Sequence, residues 1–147
     1  MCRDAVKVFS KRPLPAWGML ATTAIRRDLT HRRYVPWGML AAIDLHGCDP
    51  EPLEDPDCIR SFVATLVDAI EMRAHGPVLL ERFGDGELEG WSAMQFIETS
   101  SITLHADEFG GRCFVDVFSC RPFDADRAAA VAVAHFGGAP TLRVLRR

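Results

Sequence analysis

Residues 100–105 read Ser-Ser-Ile-Thr-Leu-His, and residues 114–118 read Phe-Val-Asp-Val-Phe and lead directly into Ser119 and Cys120. Both runs are typical of β-strands. A serine, a histidine and a thiol that flank two neighbouring strands are candidates for one functional site. They are also ordinary strand residues, and the rest of the chain has to decide between the two interpretations.

The chain around these runs predicts further strands and two helices. A buried first strand is expected at 39–45, closing in a turn at 46–50. Asp55, followed by a proline, is typical of a helix N-cap, and apolar residues then recur every three or four positions, which predicts an amphipathic helix over 56–73. Gly76-Pro77 is expected to end that helix. Further strands are expected at 78–83, 91–98, 102–105, 113–118 and 141–145, and a second helix from 122–124 to about 135.

This set of elements predicts an α+β fold. Two helices over a mainly antiparallel sheet make a two-layer α/β sandwich, with both helices on one face. The other face of the sheet, if it is apolar, requires a partner sheet. A homodimer is therefore expected.

Length and charge divide the chain into two parts. One domain is expected at 36–147, after a basic N-terminal extension at 1–35. The extension holds eight Lys/Arg and two acidic residues, a charge of +6, whereas the domain holds nine Lys/Arg and eighteen acidic residues, a charge of −9. Trp-Gly-Met-Leu-Ala occurs at 17–21 and again at 37–41, and the second copy is predicted to begin the domain.

The composition of the chain limits which partners and which cellular compartment are expected. The acidic body favours a cationic small-molecule ligand over nucleic acid. No apolar run is long enough to span a membrane, so no membrane partner is expected. The five cysteines are odd in number and contain no Cys-x-x-Cys pair, which argues against a disulfide framework and a zinc site. No metal is expected, and a reducing, cytoplasmic setting is favoured.

Three segments and their spacing resemble one known family. They are His46-Gly47-Cys48-Asp49-Pro50, Ser-x-Ile-x-x-His at 100–105, and Val115-Asp116-Val117-Phe118-Ser119-Cys120. Ser100 lies five residues before His105 and twenty before Cys120, and Ser92 lies eight before Ser100. Over about 36–147 the chain resembles the short prokaryotic S-adenosylmethionine decarboxylase proenzymes, which make their own pyruvoyl cofactor.

The resemblance implies a role for each of these side chains. Ser100 would attack the carbonyl of Thr99, and self-cleavage between residues 99 and 100 would leave a pyruvoyl group at residue 100. That group would form a Schiff base with a small amino-acid-type substrate. Cys120 would reprotonate the substrate carbon, His105 would be a base in the elimination, and Ser92 would support processing by hydrogen bonding. The implied pathway is polyamine (spermidine) biosynthesis.

The spacing of Ser100 and His105 constrains the site. Five strand residues span about 16 Å, and positions five apart face opposite sides of a sheet. His105 is therefore not expected to reach Ser100 of its own chain. The prediction is that His105 and Ser92 of a second copy complete each site, as the dimer architecture of the resembled family also implies.

Two segments depart from the pattern of that family. The family usually has Glu-Ser-His at the cleavage point, where this chain has Thr99-Ser100-Ser101. After the histidine the family usually has an aromatic residue and then a glutamate that hold the adenosyl group, and here those positions hold Asp107 and Phe109. The pair Asp107 and Glu108 would instead bind the distal cation of a different substrate, or would form a solvated turn.

Three functions are compatible with these observations. The first is a pyruvoyl-dependent decarboxylase, acting on S-adenosylmethionine or, alternatively, on L-ornithine or L-arginine. The second is an unprocessed homologue that regulates an active decarboxylase. The third is a sandwich that binds a small molecule without catalysis.

Overall fold

The computed structural model describes residues 37–147, which form six β-strands and three α-helices. The basic extension at 1–35 and the first Trp-Gly-Met-Leu-Ala copy at 17–21 lie outside the described residues. The strands are β1 (Met39–Cys48), β2 (Arg73–Phe83), β3 (Gly90–Glu98), β4 (Ser100–Asp107), β5 (Arg112–Ser119) and β6 (Gly137–Arg146). The helices are α1 (Pro50–Glu54), α2 (Pro56–Ala69) and α3 (Ala125–Phe136).

The six strands form one antiparallel sheet in the order β2-β3-β4-β5-β1-β6. The strands β4 and β5, which carry the stretch from Ser100 to Cys120, are the central pair. The helices lie against one face of this sheet, so the predicted two-layer α+β sandwich is confirmed, although the short helix α1 is a third one in addition to the two predicted.

The buried core lies between the sheet and the two longer helices. Alternate residues of β4, such as Ile102 and Leu104, face this core because side chains alternate along a strand. Phe62 of α2 packs edge-to-face on Phe136 of α3, with the ring centroids 4.8 Å apart. Full burial of such a side chain contributes about 1.5–3 kcal/mol to folding. This packing fixes the helical layer against the sheet.

The opposite face of the sheet, called the open face below, carries none of the helices in the described part of the chain. Large apolar side chains are exposed on this face of β2 and β3: Leu79, Phe83, Met94 and Phe96. Monomeric proteins rarely expose large contiguous apolar patches. The homodimer expected from an uncovered apolar face stays a prediction.

The boundary between α2 and β2 differs from the one predicted. α2 begins after its N-cap Asp55, whose carboxylate accepts the N–H of Asp57 at 2.8 Å, but it ends at Ala69 instead of residue 73. β2 begins at Arg73 instead of residue 78. Gly76-Pro77 therefore lies inside an edge strand, where pairing with β3 shifts register, and a proline is tolerated at such a place because one side of the strand is unpaired.

Other boundaries also differ from the prediction, and among them is the start of β6, which lies at Gly137 instead of residue 141. A turn was expected at 46–50, but β1 continues to Cys48 and α1 begins at Pro50, which suits the first position of a helix. β4 begins at Ser100, two residues earlier than expected, because Ser100 still pairs with Ser119 of β5. The consequence is that Ser100 is held in the sheet.

Neither a membrane helix nor a metal site is found within residues 37–147. None of the helices there is long and apolar enough to cross a membrane. No group of three or more His, Cys, Asp or Glu side chains in that range could hold a metal ion.

Candidate active site

Ser100 and Cys120 lie together at one end of the central strands. Ser100 is the first residue of β4 and pairs with Ser119, the last residue of β5, so Cys120 follows immediately beside it. The Ser100 Oγ lies 3.4 Å from the Cys120 Sγ, and either atom can be the hydrogen-bond donor. The spacing of twenty residues thus corresponds to a direct side-chain contact.

The carbonyl of Thr99 belongs to the same cluster. The Ser100 hydroxyl donates to the Thr99 carbonyl oxygen. The backbone N–H of Cys120 points at both groups, with its nitrogen 3.2 Å from the Ser100 Oγ and 3.4 Å from the Thr99 oxygen. A backbone N–H in this position can stabilise negative charge that develops on either oxygen. Sequence reasoning missed this donor, since a backbone group has no signature of its own.

Ser92 and His105 form a second cluster on the open face. They are directly paired across β3 and β4, and the Ser92 Oγ lies 2.8 Å from the His105 Nδ1. The ring of Phe83 stacks on the imidazole, with centroids 6.5 Å apart and planes inclined by 28°. Phe83 was not among the predicted site residues. No sequence signal pointed to Phe83, because its contact with His105 depends on the register of β2 against β3.

The second cluster lines an open-face cavity of about 410 Å³. Glu81 and Asp116 add carboxylates to its lining, and Phe114 adds an aromatic ring. Burial raises the pKa of Asp116, and the nearby carboxylate of Asp44 raises it further. The cavity therefore combines an apolar lining with two carboxyl groups, and the surroundings of Asp116 favour its neutral form.

One chain does not bring the two clusters together. His105 is five residues from Ser100 along β4, which corresponds to about 16 Å. The alternation of buried residues puts Ser100 on the helix-covered side with Ile102, and His105 on the open face. Any chemistry that needs both side chains in contact requires a second copy of the chain.

Asp107 is buried, and its carboxylate accepts hydrogen bonds from the turn that follows β4 and from the start of β5. Its Oδ1 accepts the N–H of Gly110 at 2.9 Å, and its Oδ2 accepts the Nε of Arg112 at 2.6 Å. Burial by itself raises the pKa of Asp107, but the Gly110 N–H and the Arg112 guanidinium outweigh burial and hold that pKa below its ordinary value. Both oxygens already have donors within the chain, so Asp107 is not the solvated turn residue that was one of its two interpretations.

Glu108 has one oxygen without such a donor. Its Oε2 pairs with Arg82 at 2.6 Å, whereas its buried Oε1 has no hydrogen-bond partner among residues 37–147. Asp107 ends β4 about 23 Å from Ser100, and Glu108 follows it in the turn. Substrate binding by this pair stays a prediction, and it too would have to act on the site of a second copy.

Two other thiols differ from Cys120 in their surroundings. Cys48 and Cys113 are free but buried, whereas Cys120 is free and partly exposed. Burial, with Asp49 close by, raises the pKa of Cys48 to about 11, and burial also raises the pKa of Cys113. A neutral buried thiol is a poor proton donor and nucleophile. Cys120 is therefore the free thiol best suited to chemistry in the described chain.

Comparison with known proteins identifies the family to which the chain belongs. The family model described as S-adenosylmethionine decarboxylase matches residues 40–147. The crystal structure of the adenosylmethionine decarboxylase from Aquifex aeolicus VF5 is similar in fold, with a TM-score of 0.65 and 19% sequence identity over 76% of this chain and 91% of that one. No curated protein matches the sequence. The family match covers most of the chain, and the chain belongs to the S-adenosylmethionine decarboxylase family.

Proposed function

We propose that this protein is a self-processing, pyruvoyl-dependent decarboxylase of the S-adenosylmethionine decarboxylase type, acting in the cytoplasm in polyamine (spermidine) biosynthesis. Membership of the family supports a decarboxylase of this type. The observation that carries the proposal is the contact of the Ser100 hydroxyl with the Thr99 carbonyl and with Cys120. A serine in that position lies beside the carbonyl that it would attack. The Cys120 thiol beside it would be the proton donor in the later decarboxylation.

The first part of processing, up to the ester, uses groups of one chain alone. The Ser100 Oγ attacks the Thr99 carbonyl carbon, and the Cys120 N–H stabilises the oxyanion that forms. Breaking the peptide C–N bond gives an ester between Thr99 and the Ser100 oxygen, and the freed amine of Ser100 takes up the proton that its hydroxyl loses. Loss of the Ser100 α-proton to a base then expels the Thr99 carboxylate and leaves dehydroalanine, which water converts to a pyruvoyl group with release of ammonia. The products are a β chain, 1–99, and an α chain, 100–147.

The residues around position 100 fit such a group. Cleavage needs only a carbonyl from the preceding residue, which Thr99 supplies as well as the family's glutamate would. A pyruvoyl group at residue 100 supplies an electron-accepting carbonyl for an amine substrate that loses CO2. Cys120, 3.4 Å from the Ser100 oxygen, is positioned to return a proton to the substrate carbon.

A homodimer completes the site in this proposal. The base that removes the Ser100 α-proton is His105 of a second copy, held by its Ser92 through the 2.8 Å hydrogen bond. The apolar open face that carries His105 is the surface by which the two copies would associate. The support for this arrangement is the separation of about 16 Å between Ser100 and His105 within one chain.

S-adenosylmethionine is the first candidate substrate, since the family is defined by it. L-Ornithine and L-arginine are the alternatives. They are favoured by Asp107 and Phe109, which occupy the positions of the family's adenosyl-binding residues. The Glu108 Oε1, which has no hydrogen-bond partner within residues 37–147, also has acceptor capacity for a cation. Decarboxylation is tested by measuring CO2 release from each of the three compounds. Inactivity of the processed protein on all three would contradict the assignment.

A second candidate function is a non-catalytic partner that regulates an active decarboxylase. It is favoured by the cleavage junction, Thr99-Ser100-Ser101, which differs on both sides of the serine from the Glu-Ser-His of the family. Under this function the chain stays uncut. Under the first it is recovered as two fragments.

A further inference from the structure

A cleft of about 480 Å³ opens on the helix-covered side, between the end of α2 and the segment that joins β5 to α3. Met72 and Phe123 give it an apolar wall. Arg121 and Arg127 also line it, together with the acidic residues Glu71 and Asp124. A site with this lining suits a small molecule that has an apolar part and a charged group.

The arginines of the cleft differ from most others in the described chain. Neither the Arg121 nor the Arg127 guanidinium makes a hydrogen bond or an ion pair with another side chain of residues 37–147. Asp124 is engaged elsewhere, because its carboxylate caps α3 by accepting the backbone N–H of Arg127 at 2.9 Å. Five other arginines each pair with a carboxylate: Arg60, Arg73, Arg82, Arg112 and Arg143.

The cleft adjoins the Ser100 cluster. Arg121 follows Cys120 directly, so their Cα atoms are about 3.8 Å apart. The Arg121 N–H donates to the Ser119 Oγ at 3.0 Å, and the same hydroxyl lies 4.0 Å from the sulfur of Met72 in the cleft wall. Ser119 is fully buried and is the sheet partner of Ser100. One buried residue thus separates the cleft from the position where a substrate amine would react.

We propose that Arg121 binds the carboxylate of an amino-acid substrate whose amine reacts at residue 100, with Arg127 adding a second positive charge in the same cleft. This inference rests on the proposed function. A guanidinium suits the task because its planar fork donates two parallel hydrogen bonds to a carboxylate. The three candidate substrates share this carboxylate, and their amine products lack it. Arg121 is thus a substrate-binding residue common to all three.

The test compares Arg121→Gln with the wild type on substrate and on product. The carboxylate contact exists in the ground state and disappears as CO2 leaves, so its loss acts mainly on KM. We expect KM to rise about tenfold or more, with a smaller change in kcat, because a hydrogen bond to a charged group is lost. Inhibition by the product amine should be unchanged. Arg121→Lys should restore part of the affinity, and Arg60→Gln, a surface arginine of α2, should have no effect.

A binding measurement separates this inference from the proposed function. Calorimetry on Ser100→Ala, which cannot be processed, compares each amino acid with its amine. We expect the best-bound amino acid to bind more tightly than its amine, and Arg121→Gln in the same background to remove the difference. No preference for the carboxylate, or a preference that survives Arg121→Gln, would overturn the role of Arg121. A wild-type chain that stays uncut would overturn the proposed function. The role of Arg121 in binding the carboxylate would then still be decided by the calorimetry.

Discussion

Ser100 and Ser101 are neighbours in the chain but face opposite sides of β4. Ser100 follows the alternation of the buried residues, whereas Ser101 pairs with Phe118 on the open face. Of the two hydroxyls, that of Ser100 contacts the Thr99 carbonyl and the Cys120 thiol. The adjacent serines are therefore not equivalent nucleophiles, although the sequence alone does not distinguish their surroundings.

Substitution of each serine tests this difference. Ser100→Ala should abolish splitting of the chain because it removes the attacking oxygen, and Ser101→Ala should leave splitting intact. Intact-mass measurement of the purified variants gives the result. If Ser100→Ala still splits at the same bond, or if only Ser101→Ala fails to split, Ser100 is not the nucleophile.

The site was predictable from sequence in its members but not in its contacts. The spacings of Ser100, His105 and Cys120 led to these residues, and strand alternation put Ser100 and His105 on opposite faces. The hydrogen bond between Ser92 and His105 depends on the register of β3 against β4. Strand alternation fixes the face that each side chain takes, but which residue of β3 lies opposite His105 depends on the conformation of the turn at 98–99.

At the level of elements, the turn between β4 and β5 has a structural role that its sequence left open. Asp107, at the end of β4, accepts hydrogen bonds from Gly110 in the turn and from Arg112 at the start of β5. Which donor an acidic side chain finds depends on the turn conformation, so the choice between substrate contact and solvated turn could not be made from the residues, and the ion pair was not foreseen. The ion pair closes the hairpin.

Arg112→Gln should therefore lower stability in a pH-dependent way. The pKa of Asp107 is lowered in the folded protein, so stabilisation by the pair is present at neutral pH and is lost as the pH falls through that lowered pKa. We expect the free energy of unfolding to fall by about 1–2 kcal/mol at pH 7. The difference from wild type should shrink below about pH 4. Urea denaturation at pH 7 and pH 3 measures both.

The matched control is Arg60→Gln, which also removes an arginine–aspartate pair. The Asp57 side chain in that pair is 87% exposed, against 10% for Asp107. An exposed pair contributes less than about 0.5 kcal/mol on a helix. An equal loss of unfolding free energy in the two variants would contradict a stabilising role for the Asp107–Arg112 pair. So would a loss in Arg112→Gln that is as large at pH 3 as at pH 7.

The elements predicted least well are those whose local signals have two meanings. Gly76-Pro77 is typical of a helix end, yet it is equally acceptable at a register shift in an edge strand. Which meaning applies depends on β2 being at the edge of the sheet, and that is a property of the tertiary fold. The start of α2 was predicted correctly, because the Asp55 cap and the apolar spacing that follows it are both local.

At the scale of the whole molecule, the open face is the surface expected to join two copies. Phe96→Asp should convert the dimer to a monomer, because an unpaired charge in an apolar interface is costly. Val144→Asp is the control. The two side chains are similarly exposed, 51% for Phe96 and 48% for Val144. Val144, however, lies two residues after Leu142 and so faces the helix-covered side of the sheet. Sedimentation velocity distinguishes the states. A monomeric wild type would contradict the interface, as would dissociation of both variants alike.

Shared sites make a further prediction about mixed dimers. Ser100→Ala keeps His105, and His105→Ala keeps Ser100, so a mixed dimer contains one site with both residues. The His105→Ala chain, produced alone, should split poorly. When it is produced with the Ser100→Ala chain it should split to a greater extent, in proportion to the partner supplied. No rescue at any ratio, measured by intact mass, would mean that both residues act within one chain.

The central claim is that the bond between Thr99 and Ser100 is broken by the chain itself and that residue 100 becomes a pyruvoyl group. Intact-mass measurement of the purified wild type under denaturing conditions tests it most directly. The account predicts two fragments, 1–99 and 100–147, with the smaller one lighter by one ammonia than a fragment that begins with serine. A single species of 16.3 kDa would contradict the account.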